Sequence, residues 1–226
     1  MLIGGMICGN EKDRYLPYAI ETLKDLCDKI IIVDDCTNDG TYDWIRDLKS
    51  SKIKQFRMEK PTFETNELLI RKTLWKEISG IAKKGDSVLI LDSDERIPKK
   101  DYILVNKFMQ GNIVAGIMKL FNMWSWEEYR VDGAWCPSNA KRRLFKYLPA
   151  TEWHIERLFA CGECPKYVYN SSYVETGIRL QHLSYIKPED RQRKYERYMR
   201  IDGGKFHSVV HLQSIVQPPI LKKWVE

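Results

Sequence analysis

Val88, Leu89, Ile90 and Leu91 run without a break into Asp92-Ser93-Asp94-Glu95. A Gly85-Asp86 turn signal precedes the run and Pro98 follows it. A stretch this short and this rich in branched residues predicts a strand buried on both faces. Such strands belong to sheets covered by helices, and ligands gather at the carboxyl ends of the strands in open sheets of that class. The acids clustered at this end repel one another unless a cation lies among them. Asp92 and Asp94 point the same way if strand geometry persists. Two readings stay open on these residues alone. One is a divalent-metal site; the other is a solvated loop in which Asp92 or Ser93 caps a following helix.

The chain before this stretch repeats the theme. Residues 2–8 predict a first strand, closed by the polar loop Gly9-Asn10-Glu11-Lys12-Asp13. Pro17 sits where a helix starts, and Leu16, Ile20, Leu23 and Cys27 give that helix an apolar stripe. Residues 29–33 form a second branched run that ends in Asp34-Asp35, and a helix follows over 41–48. Residues 53–58 predict a third strand. Residues 64–82 predict the longest helix, with Ile70, Leu74, Ile78 and Ile81 on one face. Strand and helix alternate throughout, which predicts a mainly parallel sheet with helices on both faces.

Beyond Pro98 the pattern changes. A helix is expected over 100–109 and strands over 113–121 and 142–147, with an aromatic-rich segment between the two strands. Further short strands are expected at 167–169 and 178–183, all read as antiparallel additions that wall a pocket. Lys187-Pro188-Glu189-Asp190 has helix-start chemistry. That helix is expected to run to Ile201 and carries Arg191, Arg193, Lys194, Arg197 and Arg200. No repeat, low-complexity tract or linker divides the chain.

A hydrophobic content of 43% in 226 residues supplies a core for one large domain. The net charge of +6 fits an anionic ligand, an anionic membrane surface or nucleic acid without choosing among them. No apolar run approaches the roughly 18 residues that span a bilayer, and the start lacks signal-peptide character, so a cytoplasmic location is the expectation. Cys8, Cys27 and Cys36 read as small buried hydrophobes. Cys161-Gly162-Glu163-Cys164 has the spacing of half a zinc site, with Cys136 and His154 as nearby candidates, or of a loop-closing disulfide.

Three strand-end loops thus carry Asn10-Glu11, Asp34-Asp35 and Asp92-Ser93-Asp94-Glu95. In order and context they resemble the family 2 glycosyltransferases of the GT-A fold. In that family a first strand ends in Asn-Glu and a later one in Asp-x-Asp-Glu. The second reads as Val33-Asp34-Asp35-Cys36-Thr37-Asn38-Asp39-Gly40-Thr41 does here. The likeness covers about the first hundred residues well and the rest loosely. It implies a GT-A (Rossmann-like) α/β domain over 1–186, with a nucleotide-sugar half at 1–98, an acceptor half at 99–186 and a basic helical extension at 187–226. It also implies metal-dependent, inverting transfer of a sugar from a nucleoside-diphosphate sugar, most often a UDP-sugar, to a glycan, polysaccharide or lipid-linked acceptor.

Residue roles follow from the resemblance. Asn10, Glu11, Asp35, Arg71, Asp92 and Ser93 would meet the donor, with Asp35 on its base. Asp92 and Asp94 would bind Mn²⁺ or Mg²⁺, joined by His182. Such an ion neutralises the charge that grows on the departing diphosphate. An inverting transferase also needs a general base. Arg143-Leu144-Phe145 is followed by Glu152-Trp153-His154-Ile155-Glu156, where relatives carry an adjacent His-Glu pair; here Ile155 intervenes. Glu156 is the expected base, ahead of Glu152, and in an extended segment Glu152, His154 and Glu156 share one face. Trp153 and the group Trp124, Trp126 and Trp135 could stack on sugars or pack the core. His207 and His211 read as surface residues without an acid partner. The basic helix reads as a solvated face, a cover for the diphosphate, or a peripheral membrane contact.

Other classes fit less well. A nucleotidyltransferase normally has a Gly-rich loop with Arg and Lys after its first strand, and Cys8-Gly9-Asn10-Glu11 is not that. A phosphohydrolase with an aspartate nucleophile usually carries its Asp-x-Asp near the start, followed by Thr. A nucleic-acid-binding module would have acids in its predicted cleft that repel phosphate unless metal is present; a non-catalytic nucleotide-sugar-binding module is the further alternative.

Overall fold

A computed structural model describes residues 1–226, the side chains of Asn139 and Ala140 excepted. The first half alternates as its periodicity predicts. In order it has β1 (Leu2–Cys8), α1 (Leu16–Leu26), β2 (Lys29–Asp34), α2 (Thr41–Asp47), β3 (Ile53–Arg57), α3 (Phe63–Ser79) and β4 (Ser87–Ile90). The second half adds β5 (Glu95–Arg96), α4 (Tyr102–Gln110), β6 (Ala115–Asn122), β7 (Glu128–Arg130), β8 (Ser138–Lys146), α5 (Lys166–Asn170), β9 (Tyr173–His182), α6 (Pro188–Ile201), α7 (Val209–Ser214) and β10 (Leu221–Lys223).

Eight strands form one sheet in the order β3-β2-β1-β4-β8-β6-β9-β5. The pairs β3–β2, β2–β1 and β1–β4 are parallel. The added strands β8 and β5 run antiparallel to their neighbours, whereas β6 and β9 pair parallel, a departure from the all-antiparallel expectation for this half. Apolar side chains fill both faces of the parallel part. Leu2 and Met6 point into one core with Leu16, Ile20 and Leu23 of α1, while Ile3 and Ile7 point into the other with Ile70, Leu74 and Ile78 of α3. The alternation along β1 is the period-two rule of a strand, and it explains why the run shows no polar face.

Two adjacent glycines let the helices close on β1. A Cβ at Gly4 would lie 3.0 Å from Leu23 Cδ2, and one at Gly5 would lie 2.7 Å from Ile78 Cδ1. Residues 167–169, expected as a strand, lie in α5 instead. Pro165 immediately precedes that helix, its fixed φ of −58° suits a helix entrance, and its missing N–H costs nothing there. In the tail, β10 pairs with β7 as a two-stranded ribbon. Among the described residues, no helix is long and apolar enough to cross a membrane.

Candidate active site

A cleft of about 1080 Å³ opens at the carboxyl ends of β1, β2 and β4. Its walls include Asn10, Glu11, Asp35, Arg71, Asp92, Ser93, Asp94 and His182, every donor- or metal-binding residue expected from the sequence.

The loops after β1 and β2 brace each other. The Asn10 amide donates to Asn38 Oδ1 at 3.0 Å, and the Asn38 N–H donates back to Asn10 Oδ1 at 3.0 Å. Thr41 Oγ1 accepts the N–H groups of Glu11 and Lys12. Asp34 is fully buried and accepts both the N–H and the hydroxyl of Thr37, so it shapes the turn. Its neighbour Asp35 faces the cleft. The Asp35 carboxylate accepts the N–H groups of Thr62 and Phe63 at 2.7 and 3.0 Å, at the entrance to α3. Burial raises its pKa and those two donors act against the rise. Glu11 pairs with Arg14 through one oxygen, and its other oxygen is buried without a partner. Burial pushes the Glu11 carboxyl up to about 7, with Arg14 working against it.

At the end of β4 the cross-strand register decides the chemistry. Val88 pairs with Phe145 and Leu89 with Leu144, so Arg143 falls beside the acids that follow β4. Its guanidinium is 1% exposed; it donates to Asp92 and, at 2.9 Å, to Glu95, and lies 3.5 Å from Glu163. Arg71 approaches Asp92 at 3.6 Å while donating to Glu67 at 2.8 Å. Burial alone would raise the Asp92 pKa, but Arg143 and Arg71 bring it below the usual value. Asp92 is therefore already charge-compensated by protein.

Asp94 is held differently. The β5–β9 register sets Glu95 opposite His182, and the Leu183 N–H donates to the Asp94 carbonyl at 2.8 Å. His182 Nε2 then lies 3.1 Å from Asp94 Oδ2, and Nδ1 lies 2.9 Å from Asn122 Oδ1. Burial lowers the His182 pKa, as does Lys194, while Asp94 acts against the fall. Burial opposes the Asp94 charge as well. Contacts with His182, Lys194 and Ser184 outweigh it and hold Asp94 well below the usual carboxylate range.

Among the described residues, no three His, Cys, Asp or Glu side chains converge as metal ligands. Asp94 and His182 nevertheless offer an oxygen and an imidazole nitrogen side by side. That pair suits Mn²⁺ better than Mg²⁺, which prefers oxygen throughout, provided that a ligand such as a diphosphate supplies the remaining donors.

Glu152 and Glu156 are not brought to this cleft. They line a separate shallow pocket with His154 and Lys166. Ile155 adopts a left-handed φ of 55°, which breaks the extended run on which a shared face depends. Glu156 is exposed, accepts the Trp153 N–H at 3.1 Å and pairs with Lys72 at 3.0 Å; Glu152 pairs with Lys166. The carboxylate that does reach the cleft from this region is Glu163, immediately ahead of Cys164-Pro165 and α5. Burial works against its charge, and Arg143 and Lys141 hold its pKa far down. An acid two residues before a helix-opening Pro was the available signal. Cys161 and Cys164 are buried free thiols.

Other placements also differ from expectation. His207 lines the cleft and has an acid partner, the fully buried Asp202, whose carboxylate meets its Nδ1 at 2.5 Å. Trp124 and Trp135 pack edge to face at 5.4 Å around the buried Arg130, so their role is core packing; Trp126 is exposed. The basic helix α6 forms one wall of the cleft through Arg193, Lys194, Arg197 and Arg200.

No protein-family model matches the chain, and no curated protein matches it in sequence. Solved structures do resemble it. S. aureus TarS aligns over 95% of this chain and 42% of that chain, at 16% identity and a TM-score of 0.51. This chain therefore spans about two-fifths of the TarS chain. The 1–349 portion of TarS in complex with UDP aligns over 95% of this chain and 69% of that one, at 14% identity and a TM-score of 0.49. A Bacillus anthracis protein assigned as a glucose-1-phosphate thymidylyltransferase covers 65% of this chain and 71% of its own, at 10% identity and a TM-score of 0.43. Only the first exceeds one half, and at its identity the likeness is one of fold. The chain has a GT-A-like α/β fold.

Proposed function

We propose that this chain is a metal-dependent, inverting glycosyltransferase that uses a nucleoside-diphosphate sugar, with a UDP-sugar as the leading donor and a glycan, polysaccharide or lipid-linked acceptor. The observation that carries the reading is the shared cleft. Asp35 just after β2, Asp92 and Asp94 beyond β4, and His182 at the end of β9 line one cavity together with Arg193, Arg197 and Arg200 of α6. Acids that hold a cation beside bases that meet phosphate are what a dianionic leaving group requires.

In this reading Asp35 accepts a hydrogen bond from the base of the donor, at the carboxylate that also anchors the entrance of α3. Arg71 and Arg143 keep Asp92 ionised and fixed for the ribose. Asp94 and His182 would hold Mn²⁺ or Mg²⁺, which when bound offsets the charge that grows on the diphosphate. Asn122 fixes the His182 ring through Nδ1. Glu163 takes the proton of the acceptor hydroxyl. Lys141 and Arg143 keep it ionised, as a base must be, at some cost in basicity. Glu156, the base expected from the sequence, is already bound to Lys72 outside the cleft.

Calorimetric titration with UDP, GDP and dTDP in Mn²⁺ tests the donor assignment. Wild type is expected to bind one of the three, and Asp35→Ala to lose at least tenfold in affinity for it. Binding of none by wild type contradicts the reading and favours a non-donor ligand.

A further inference from the structure

The ammonium of Lys194 sits against Asp94 and His182, the two residues that would hold a metal. From α6 it stands 3.1 Å from His182 Nε2 and 3.7 Å from Asp94 Oδ2, donates to Ser184 Oγ at 2.6 Å, and rests 4.5 Å from the centre of the Tyr185 ring. Its side chain is 12% exposed. An ammonium has donors only, so the His182 Nε2 that meets it is an acceptor, and the Ser184 hydroxyl stands 2.9 Å from the same nitrogen. The ring proton is then on Nδ1, toward Asn122 Oδ1 at 2.9 Å. His182 Nε2 and Asp94 Oδ2 are thus two lone-pair atoms that face each other at 3.1 Å. Two such atoms repel unless a positive charge is shared between them, and here that charge is Lys194.

We propose that Lys194 is the resident cation of this site: it occupies Asp94 and His182 when no divalent ion is bound, excludes that ion while it does so, and gives the donor diphosphate a positive contact that needs no metal. The proposal rests on the nucleotide-sugar reading above. Two cations cannot share one pair of acceptors 3.1 Å apart, so metal entry requires the ammonium to leave. The lysine stem is long and freely rotating, and α6 places it in the same cleft as the diphosphate, so the displaced ammonium stays within reach of phosphate oxygens.

Calorimetry separates the claims. Mn²⁺ alone is titrated into wild type and Lys194→Met, and UDP is titrated into both in EDTA and again in Mn²⁺. Lys194→Met is expected to bind Mn²⁺ at least tenfold more tightly than wild type. In EDTA it is expected to bind UDP at least tenfold more weakly, and Mn²⁺ is expected to restore most of that loss. Lys194→Gln, which keeps a donor for Ser184 and removes the charge, must behave in the same way; it replaces the Met variant if that variant fails to fold. Equal Mn²⁺ affinity in wild type and variant, or equal UDP affinity in EDTA, overturns the proposal and leaves the nucleotide-sugar reading standing. If no protein binds UDP, GDP or dTDP with or without Mn²⁺, the nucleotide-sugar reading falls and takes the proposal with it.

Discussion

His182 Nε2 lies 3.1 Å from Asp94 Oδ2 although 88 residues separate them in sequence. The two meet because β5 is only two residues long and pairs with the last residues of β9. Asp94 is thereby held just before one strand of the pair, and His182 closes the other. In the proposed metal site each of them supplies one of two ligands. His182→Ala and Asp94→Ala are each expected to weaken Mn²⁺ binding in the presence of UDP by at least tenfold, read by calorimetry.

Glu163 is the proposed base, and Glu156 is the one expected from the sequence. Removal of a general base typically lowers a rate by about 10²–10⁴-fold. Glu163→Gln is expected to lose at least 10²-fold in turnover while it still binds the nucleoside diphosphate. Glu156→Gln is expected to stay within about twofold of wild type, since its carboxylate is exposed and bound to Lys72. Steady-state rates on the two variants decide between them, and the reverse order would restore Glu156.

Arg143 is a buried guanidinium shared by Asp92, Glu95 and Glu163. Arg143→Met leaves those carboxylates without their common partner. Breaking a buried ion pair by removal of one member costs about 3–5 kcal/mol. Urea denaturation is expected to show a loss of that order with an unchanged slope.

Glu11 gives the stability a pH dependence. Its folded pKa is raised to about 7 from an ordinary 4.5, so the folded state holds a proton that the unfolded chain releases first. The stabilisation that this proton provides is complete below pH ~4.5 and disappears as the pH rises through ~7. A shift of this size corresponds to roughly 3 kcal/mol. Glu11→Gln is expected to flatten the fall in stability between pH 5 and 8 in chemical denaturation, whereas a parallel fall in the variant would assign the dependence elsewhere.

Much of the parallel half was legible because its strands are continuous branched runs and its helices have apolar stripes, two patterns set by burial alone. The acids at the strand ends were legible for the same reason, since polar residues that interrupt such runs mark where the sheet meets its ligand. Long-range register was not legible. Nothing local in Arg143-Leu144-Phe145 says that the arginine will face Asp92; that follows from Leu89 pairing with Leu144. The left-handed Ile155 was equally hidden, because a branched residue gives no warning of positive φ, and it moved Glu152 and Glu156 away from the cleft. Tyr167-Val168-Tyr169 has strand composition, but Pro165 set a helix. In the sequence Lys194 is one charge among several on a basic helix, and only its contact with His182 at the end of β9 gives it a distinct position.

Turnover of a nucleotide sugar tests the central claim most directly. A panel of UDP-, GDP- and dTDP-sugars is incubated with wild type and Asp94→Ala in Mn²⁺, and released nucleoside diphosphate is measured. The account predicts release from the sugars of one nucleotide by wild type, and a fall of at least 10²-fold in Asp94→Ala. Release of none by wild type, or equal release by both proteins, would contradict it.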